Sequence, residues 1–167
     1  MSPRPFLAWP DKRLQSAAAP VGEITDESRA LWDEMAEAMY AMPGVGLAAP
    51  QLGVMQQLAV VDCSNGAGKL IRLADPEILH ASAQMRDHDE ASPNLPGVSA
   101  KVSRPRAVTV AFTNDRGARI TEDFVGLWAT SVQHQIDHLN GRMYFDRLSP
   151  VKRKMLLARA AKLRKRR

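Results

Sequence analysis

The chain has 167 residues, enough for one domain that buries its own core. Hydrophobic residues make up 45% and charged residues 25% of it, an ordinary balance for a globular protein in water. No apolar stretch approaches the roughly 20 residues of a membrane span, and the first residues show no apolar run typical of a secretory signal. Cys63 is the single cysteine, which excludes a disulfide framework and a Cys-rich zinc module and favours the cytoplasm.

The charge is unevenly distributed along the chain. Residues 151–167 hold nine Lys or Arg and no acid, so the net charge of +5 leaves −4 for residues 1–150. We therefore predict a domain over residues 1–150 and a basic helical tail over residues 151–167. Such a tail suggests an anionic partner, although it can equally be a solvated helix end that binds nothing. The cations singled out are Lys152, Arg153, Lys154, Arg164, Lys165, Arg166 and Arg167.

The predicted elements begin with a helix over about residues 25–42. Thr25 is its expected N-cap, and Asp26 and Glu27 fall in its first turn, where the helix dipole favours acids. Pro43 and Gly44 end it, and a tight glycine-containing segment follows. Short strands are predicted at 58–62, 70–73, 98–102, 107–113 and 118–124, with a hairpin turn at 114–117.

A second helix is predicted from about Gly126 to Asn140, with Gly141 just beyond its end. His134 and His138 stand four residues apart on it, so both rings leave one face and can approach one metal ion. The apolar flanks predict a buried helix, where histidines are costly unless they are ligated or hydrogen-bonded. Strands grouped between helices, without β-α-β alternation, indicate the α+β class.

Three segments, taken in order, resemble the signatures of the peptide deformylase family. Residues 44–51 read GVGLAAPQ, the first signature, and residues 133–141 read QHQIDHLNG where the family has QHExDHLxG. Between them, residues 90–96 read EASPNLP where the family has EGCLSxP. Weaker matches at 10–14, 75–78 and 146–149 extend the resemblance over about residues 10–150.

The resemblance implies an α+β fold with antiparallel sheets around a central buried helix, followed by a basic C-terminal helix. It implies removal of the formyl group from the N-terminal formyl-methionine of new bacterial chains. In the family, one Cys and two His hold Fe²⁺, which Zn²⁺ or Ni²⁺ can replace, and a Glu is the acid–base group. A Gln and a backbone N–H just after the Cys stabilise the oxyanion. In some members a basic C-terminal helix docks on the ribosome.

This chain departs from the family at the positions that carry the chemistry. The metal ligands fall on Ser92, His134 and His138, the acid–base group on Gln135, and the oxyanion donors on Gln51 and Pro93. A serine hydroxyl is a poor ligand for Fe²⁺ or Zn²⁺, a proline has no N–H, and a glutamine cannot act as a base. Gly46 is expected to let the backbone approach a ligand. Glu90 and Arg104 match a family pair and are expected to form a salt bridge.

These departures favour a deformylase-like protein that keeps the fold and the cleft but lacks formyl-methionine deformylase activity. We expect a monomer that can bind an N-terminal peptide or the ribosome surface, that has no membrane partner, and that need not hold a metal. The alternative is a divergent metal-dependent hydrolase that retains Fe²⁺ or Zn²⁺ through a rebuilt site. Its further ligand would come from His88, Asp89, Glu90 or Asp137. A protein acting only through another surface is a third interpretation, without a positive sign in the sequence.

Overall fold

The computed structural model describes residues 3–166, whose strands form two antiparallel sheets. The strands are β1 (Gly46–Ala48), β2 (Leu58–Val61), β3 (Ile71–Ala81), β4 (Met85–Glu90), β5 (Ala100–Pro105), β6 (Ala107–Thr113) and β7 (Arg119–Val125). The larger sheet has the order β1-β2-β3-β6-β7, and the smaller sheet pairs β4 with β5. The α-helices are α1 (Asp26–Ala41), α2 (Gly126–Leu139) and α3 (Pro150–Lys165). Among the described residues, none of these helices has the length and apolarity to cross a membrane.

Helix α1 begins where its sequence predicts. The Thr25 hydroxyl accepts a hydrogen bond from the Ser28 backbone N–H, and the Ser28 hydroxyl accepts one from the Thr25 N–H. This reciprocal cap satisfies two donors that the first helical turn leaves unpaired. One face of the helix buries Trp32, Met35 and Met39 completely against the large sheet. The predicted N-cap is confirmed.

Helix α2 lies at the centre of the molecule, between the two sheets. Every residue from Ala129 to Leu139 is buried except His134, which is half-buried. Its end is also as predicted: Asn140 is the C-cap, and Gly141 follows with φ +77°. A Cβ at Gly141 would lie 2.7 Å from the backbone of Ser16, so only glycine allows the chain to pass this close. The central position of α2 holds its polar side chains away from bulk water.

Several strands differ from their predicted extents. β6 is correct to the residue and β2 nearly so, but β1 and β4 were not predicted, and β3 runs on to Ala81. The full length of β3 is hard to predict from sequence because the strand is irregular. Asp75 takes φ +48°, and two register shifts interrupt the pairing of β3 with β6. β4 reads MRDHDE, a charged segment without apolar alternation, although its residues alternate between exposed and less exposed positions and end on the buried Glu90. β1 has three residues only and reads as part of a tight loop.

Helix α3 packs against the body of the protein. Leu156 and Ala160 are buried in a cluster that includes Leu14, Tyr144 and Phe145. The predicted boundary at residue 150 stays a prediction, and α3 itself contributes to this core. The helix begins at the Ser149 side chain, which accepts a hydrogen bond from the Lys152 N–H. Its burial means that removing residues 151–167 would expose part of the hydrophobic interior.

We expect Leu156→Ala to lower the free energy of unfolding by about 2–4 kcal/mol, because it leaves a cavity in this buried cluster. Met155 is the matched control, since it neighbours Leu156 on α3 but is 66% exposed. Met155→Ala should change the same quantity by less than about 0.5 kcal/mol. Urea denaturation followed by circular dichroism measures both. Equal effects of the two substitutions would show that α3 is not packed as described.

Candidate functional site

A cleft of about 400 Å³ opens beside helix α2. Its walls come from the turn after α1, from the end of β4 with the segment that follows it, and from α2 itself. The predicted site residues that line it are Gly46, Gln51, Glu90, Ser92, His134 and Gln135, together with Pro93. His138 lies one turn further along α2 and is 1% exposed. The structure thus brings the predicted site residues to one place, although they span nearly 100 positions of the chain.

The two histidines of α2 face each other through their Nε2 atoms, which are 3.1 Å apart. Two imidazole nitrogens bound to one tetrahedral ion would be roughly 3.3 Å apart, given the usual zinc–nitrogen distance. The other ring nitrogen of His134, Nδ1, lies 2.7 Å from the Glu90 carboxylate. His138 Nδ1 is buried and finds no hydrogen-bond partner within residues 3–166. Burial, and then the neighbouring His134, hold the pKa of His138 well below its usual value, so this ring stays neutral.

A buried chain of charges supports His134. Glu90 accepts two hydrogen bonds from Arg104, at 2.6 and 2.9 Å, which confirms the predicted salt bridge. Arg104 also donates to Asp137 at 2.8 Å, and Asp137 accepts two further bonds from Arg147. Burial alone raises the pKa of Glu90, but the hydrogen bonds from His134 and Arg104 outweigh burial and bring it to about 2. Both carboxylates are therefore ionised and fully engaged.

Ser92 stands in place of the family's Cys and belongs to a hydrogen-bonded group centred on Asn94. The Ser92 hydroxyl donates to Asn94 Oδ1 at 3.0 Å, and Gln51 Nε2 donates to the same oxygen at 2.8 Å. Gln51 Oε1 accepts a hydrogen bond from the Ala48 N–H. Asn94 is 1% exposed, and sequence reasoning missed it. Its only signal was its place in the degenerate motif, where the family has Ser and this chain has a residue with a longer polar side chain.

Gln135 and Gly46 fit against each other. A Cβ on Gly46 would collide with Gln135 Nε2 and would lie 2.5 Å from Ser131 Oγ. The glycine was predicted to let the backbone approach a ligand, and here it makes room for two side chains of α2. Gln135 is 5% exposed, and its Oε1 has no hydrogen-bond partner among the described residues. Gln135 thus lines the cleft as a residue, while its buried Oε1 keeps unused hydrogen-bonding capacity.

The donors present do not fit the metal site that the family implies. Two imidazoles converge, but the third position holds a neutral hydroxyl that is engaged with Asn94. Among residues 3–166, no group of three His, Cys, Asp or Glu side chains is placed to hold a metal ion. Two of the four ligands predicted for a rebuilt metal site, Asp137 and Glu90, are engaged elsewhere. Asp137 is bound to Arg104 and Arg147, and Glu90 contacts the other ring nitrogen of His134.

The remaining two candidate ligands, His88 and Asp89, line the cleft but complete no such group within the described chain.

The tail cations also differ in their surroundings. Arg153 pairs with Asp146 at 2.8 Å and lies over the Phe145 ring, and Arg164 donates to a backbone carbonyl. Lys152, Lys154, Lys165 and Arg166 are exposed, and Arg167 lies outside the described residues.

The comparison with known proteins identifies the family of the chain. Residues 3–154 match the family model described as polypeptide deformylase. The peptide deformylase of Rhodopseudomonas palustris strain TIE-1 is 41% identical over 170 residues, covering 99% of this chain and 97% of that protein. The chain therefore belongs to the polypeptide deformylase family, whose members are metalloenzymes as a class.

Solved structures give the same result for the fold. A peptide deformylase from Legionella pneumophila superposes with a TM-score of 0.90 at 35% identity, covering 98% of this chain and 96% of that one. The peptide deformylase of Ehrlichia chaffeensis in complex with actinonin superposes with a TM-score of 0.89 at 30% identity, covering 97% and 98%. The predicted family and the predicted α+β fold are both confirmed.

We expect Glu90→Gln to lower the free energy of unfolding at pH 7 by about 3 kcal/mol, because it removes a buried carboxylate from Arg104 and leaves Arg104 to share Asp137 with Arg147. The matched control is Glu34→Gln, which removes the carboxylate of the exposed Arg4–Glu34 pair and should cost at most about 1 kcal/mol. Urea denaturation of both variants and the native chain measures the difference.

The penalty of Glu90→Gln should also depend on pH. Because the folded-state pKa of Glu90 is about 2, below its ordinary 4.5, its charge adds stability that is present above pH 4.5. That contribution is lost as the pH falls toward 2, so the native chain and the variant should converge in acid. A penalty that stays constant from pH 7 to pH 3 would contradict this account.

Proposed function

We propose that this protein binds the N-terminal segment of a peptide in the cleft beside α2 and does not hydrolyse an N-formyl group there. The supporting observation is the neutral Gln135 carboxamide at the position of the family's catalytic carboxylate, buried against Gly46. A carboxamide can hold a ligand or a water molecule by hydrogen bonds, but it cannot remove a proton near neutral pH. The relatives are called peptide deformylases, which supports a peptide as the ligand.

Three separate chemical functions are altered together. Loss of a general base costs about 10²–10⁴ in rate, and loss of one oxyanion donor costs about 10²–10³. Pro93 cannot supply the backbone N–H, and Gln51 already donates to Asn94. The product, about 10⁴–10⁷, is an upper guide because such losses are not additive. The poor metal ligand Ser92 reduces activity further.

A second candidate is the divergent metal-dependent hydrolase. Its support is the 3.1 Å separation between His134 Nε2 and His138 Nε2, which suits one ion. Metal analysis of protein purified without oxygen tests it directly. A full equivalent of Fe²⁺ or Zn²⁺ would favour this candidate, and a small fraction of one equivalent would exclude it.

We expect the native chain to deformylate formyl-Met-Ala-Ser at a rate indistinguishable from that of Gln135→Met assayed in parallel. Ser92→Cys/Pro93→Leu/Gln135→Glu, supplied with Ni²⁺, should exceed the native rate by at least about 10², because it restores the base and an oxyanion N–H. Formation of the free amine is followed by mass spectrometry. Ser92→Cys alone is the control and should remain near the native rate. Turnover by the native chain well above Gln135→Met would contradict the proposal.

We further propose that the exposed cations of α3 bind the ribosome surface. Lys152, Lys154 and Lys165 are exposed and make no ion pair with a described residue. Clustered cations of this kind are attracted to the phosphates of RNA, and the attraction weakens as salt rises. Because α3 also contributes Leu156 and Ala160 to the core, charge reversal is a cleaner test than truncation.

The variant Lys152→Glu/Lys154→Glu/Lys165→Glu should lose most of its co-sedimentation with ribosomes at low salt, because phosphate contacts become repulsive. The matched control, Lys12→Glu/Lys69→Glu/Arg116→Glu, makes the same change in net charge at exposed positions outside α3. It should sediment with ribosomes as the native chain does. Equal loss in the two triple variants would show that only net charge matters.

A further inference from the structure

We propose that a groove between α3 and the start of β5 binds an acidic amphipathic helix of a partner protein. The groove has a volume of about 530 Å³ and shares no lining residue with the cleft beside α2. The inference therefore goes beyond the proposed function and does not depend on any ligand in the cleft.

The floor of the groove is apolar, although the helix that forms most of it is rich in charge. Met155 is 66% exposed, Ala158 is exposed three residues further along the same side of α3, and Leu156 continues this surface into the core. Leu148 and Ala100, both half-buried, add apolar surface from outside the helix. A helix laid in the groove would remove this floor from water through its own apolar face.

The rim of the groove is basic on both sides. Its charged residues are Lys101 from β5 and Lys152, Arg159 and Lys162 from α3, all of them exposed. Within the described chain no acid lines the groove, and none of these four cations has an ion pair there. A rim of one sign attracts an acidic partner and opposes a basic one. The ligand that fits is therefore acidic along its flanks and apolar on the face between them.

A protein helix fits this surface better than RNA does. RNA-binding grooves combine cations with aromatic side chains on which unpaired bases stack. Among residues 3–166, no aromatic side chain lines the groove, and its apolar floor offers nothing to a phosphate. Of the cations proposed above for the ribosome surface, only Lys152 lines the groove, so the two surfaces can be tested separately.

The test measures binding of fluorescein-labelled synthetic peptides to the full chain by fluorescence anisotropy. The salt concentration is about 0.15 M, where exposed charges are screened beyond roughly 8 Å. The probe is a peptide of Glu, Ala and Leu, about 18 residues long so that it can form a helix, with its leucines on one face. A comparison peptide has the same composition with the leucines spread around the helix. We expect the probe to bind at least about 10-fold more tightly, because only the probe covers the floor and meets the rim at once.

Two double variants assign the charge contribution to the rim. Lys101→Glu/Lys162→Glu should weaken binding of the probe by at least about 10-fold, because two attractions become repulsions. The matched control, Lys154→Glu/Lys165→Glu, makes the same change in net charge at exposed positions of α3 outside the groove. It should weaken binding by less than about 3-fold, since these charges are screened from a ligand in the groove. Circular dichroism checks that both variants fold as the native chain does.

One substitution tests the apolar floor without a change of charge. Met155→Gln keeps the length of the side chain but makes it polar, and it should weaken binding of the probe by at least about 5-fold. Val151→Gln is the matched control, because Val151 is 69% exposed on the same helix and does not line the groove. It should leave the affinity within about 2-fold of the native value.

Several results would overturn the inference. Equal affinity for the two peptides, or equal losses in the two double variants, would show that net charge alone governs binding. Absence of binding would show that the groove does not take such a helix. A single-stranded RNA oligonucleotide that loses more affinity than the probe through Lys101→Glu/Lys162→Glu would assign the groove to nucleic acid.

A second copy of this chain is the other occupant to be distinguished, because α1 exposes acids such as Glu27 and Glu37. Analytical ultracentrifugation of the native chain tests it. A dimer that is lost both in Glu27→Lys/Glu37→Lys and in Lys101→Glu/Lys162→Glu would give the groove to a second copy and overturn the partner protein. A native chain that stays monomeric while it binds the probe supports the inference. None of these outcomes bears on peptide binding in the cleft beside α2.

Discussion

The buried pairing of Glu90 with Arg104 is the interaction on which the arrangement of the site depends. It joins β4 to β5 across the small sheet, and through Asp137 it joins both strands to the central helix. Each ion alone would be very costly inside the protein, so the carboxylates and guanidiniums are stable there only as a paired set. Glu90 also orients His134 by its contact with Nδ1. The cleft and its two histidines are therefore held by a network whose carboxylates are already bound by arginines and by His134.

This division between support and chemistry explains what the chain retains and what it has changed. The supporting residues Glu90 and Arg104 match the pair that the resemblance implies, and with Asp137 they connect β4 and β5 to α2. The altered residues, Ser92, Pro93 and Gln135, all face the cleft. Substitutions there leave the ion network and the core packing intact, so the fold stays within the family. A TM-score of 0.90 to a solved deformylase is consistent with such a separation.

The sequence allowed much of the fold to be predicted because its strongest signals are local. Thr25 caps α1, Gly141 ends α2, and β6 alternates cleanly between buried and less buried residues. β4 could not be recognised because most of its residues are charged, and the one that is buried, Glu90, is paired there with Arg104 of β5. Long-range pairing of this kind leaves no mark on local hydrophobic periodicity.

The candidate site was also predicted in part. Motif order identified His134, His138, Gln135 and Ser92, and the structure places all four at or beside one cleft. Asn94 was missed, since its role follows from three-dimensional contacts with Gln51 and Ser92. The orphaned Oε1 of Gln135 is likewise invisible in a sequence, because it is defined by which neighbours are absent.

The shared acceptor on Asn94 has a consequence for how such a site can change over evolutionary time. Ser92 and Gln51 both donate to the same oxygen, so the energetic effects of substitutions at the three positions are coupled. A route of single substitutions between this chain and a member with Cys at position 92 passes through intermediates in which Asn94 has lost a partner. Sequence changes around this oxygen are thus expected to be accepted in groups, and the historical order of the substitutions is constrained by hydrogen bonding as well as by catalysis.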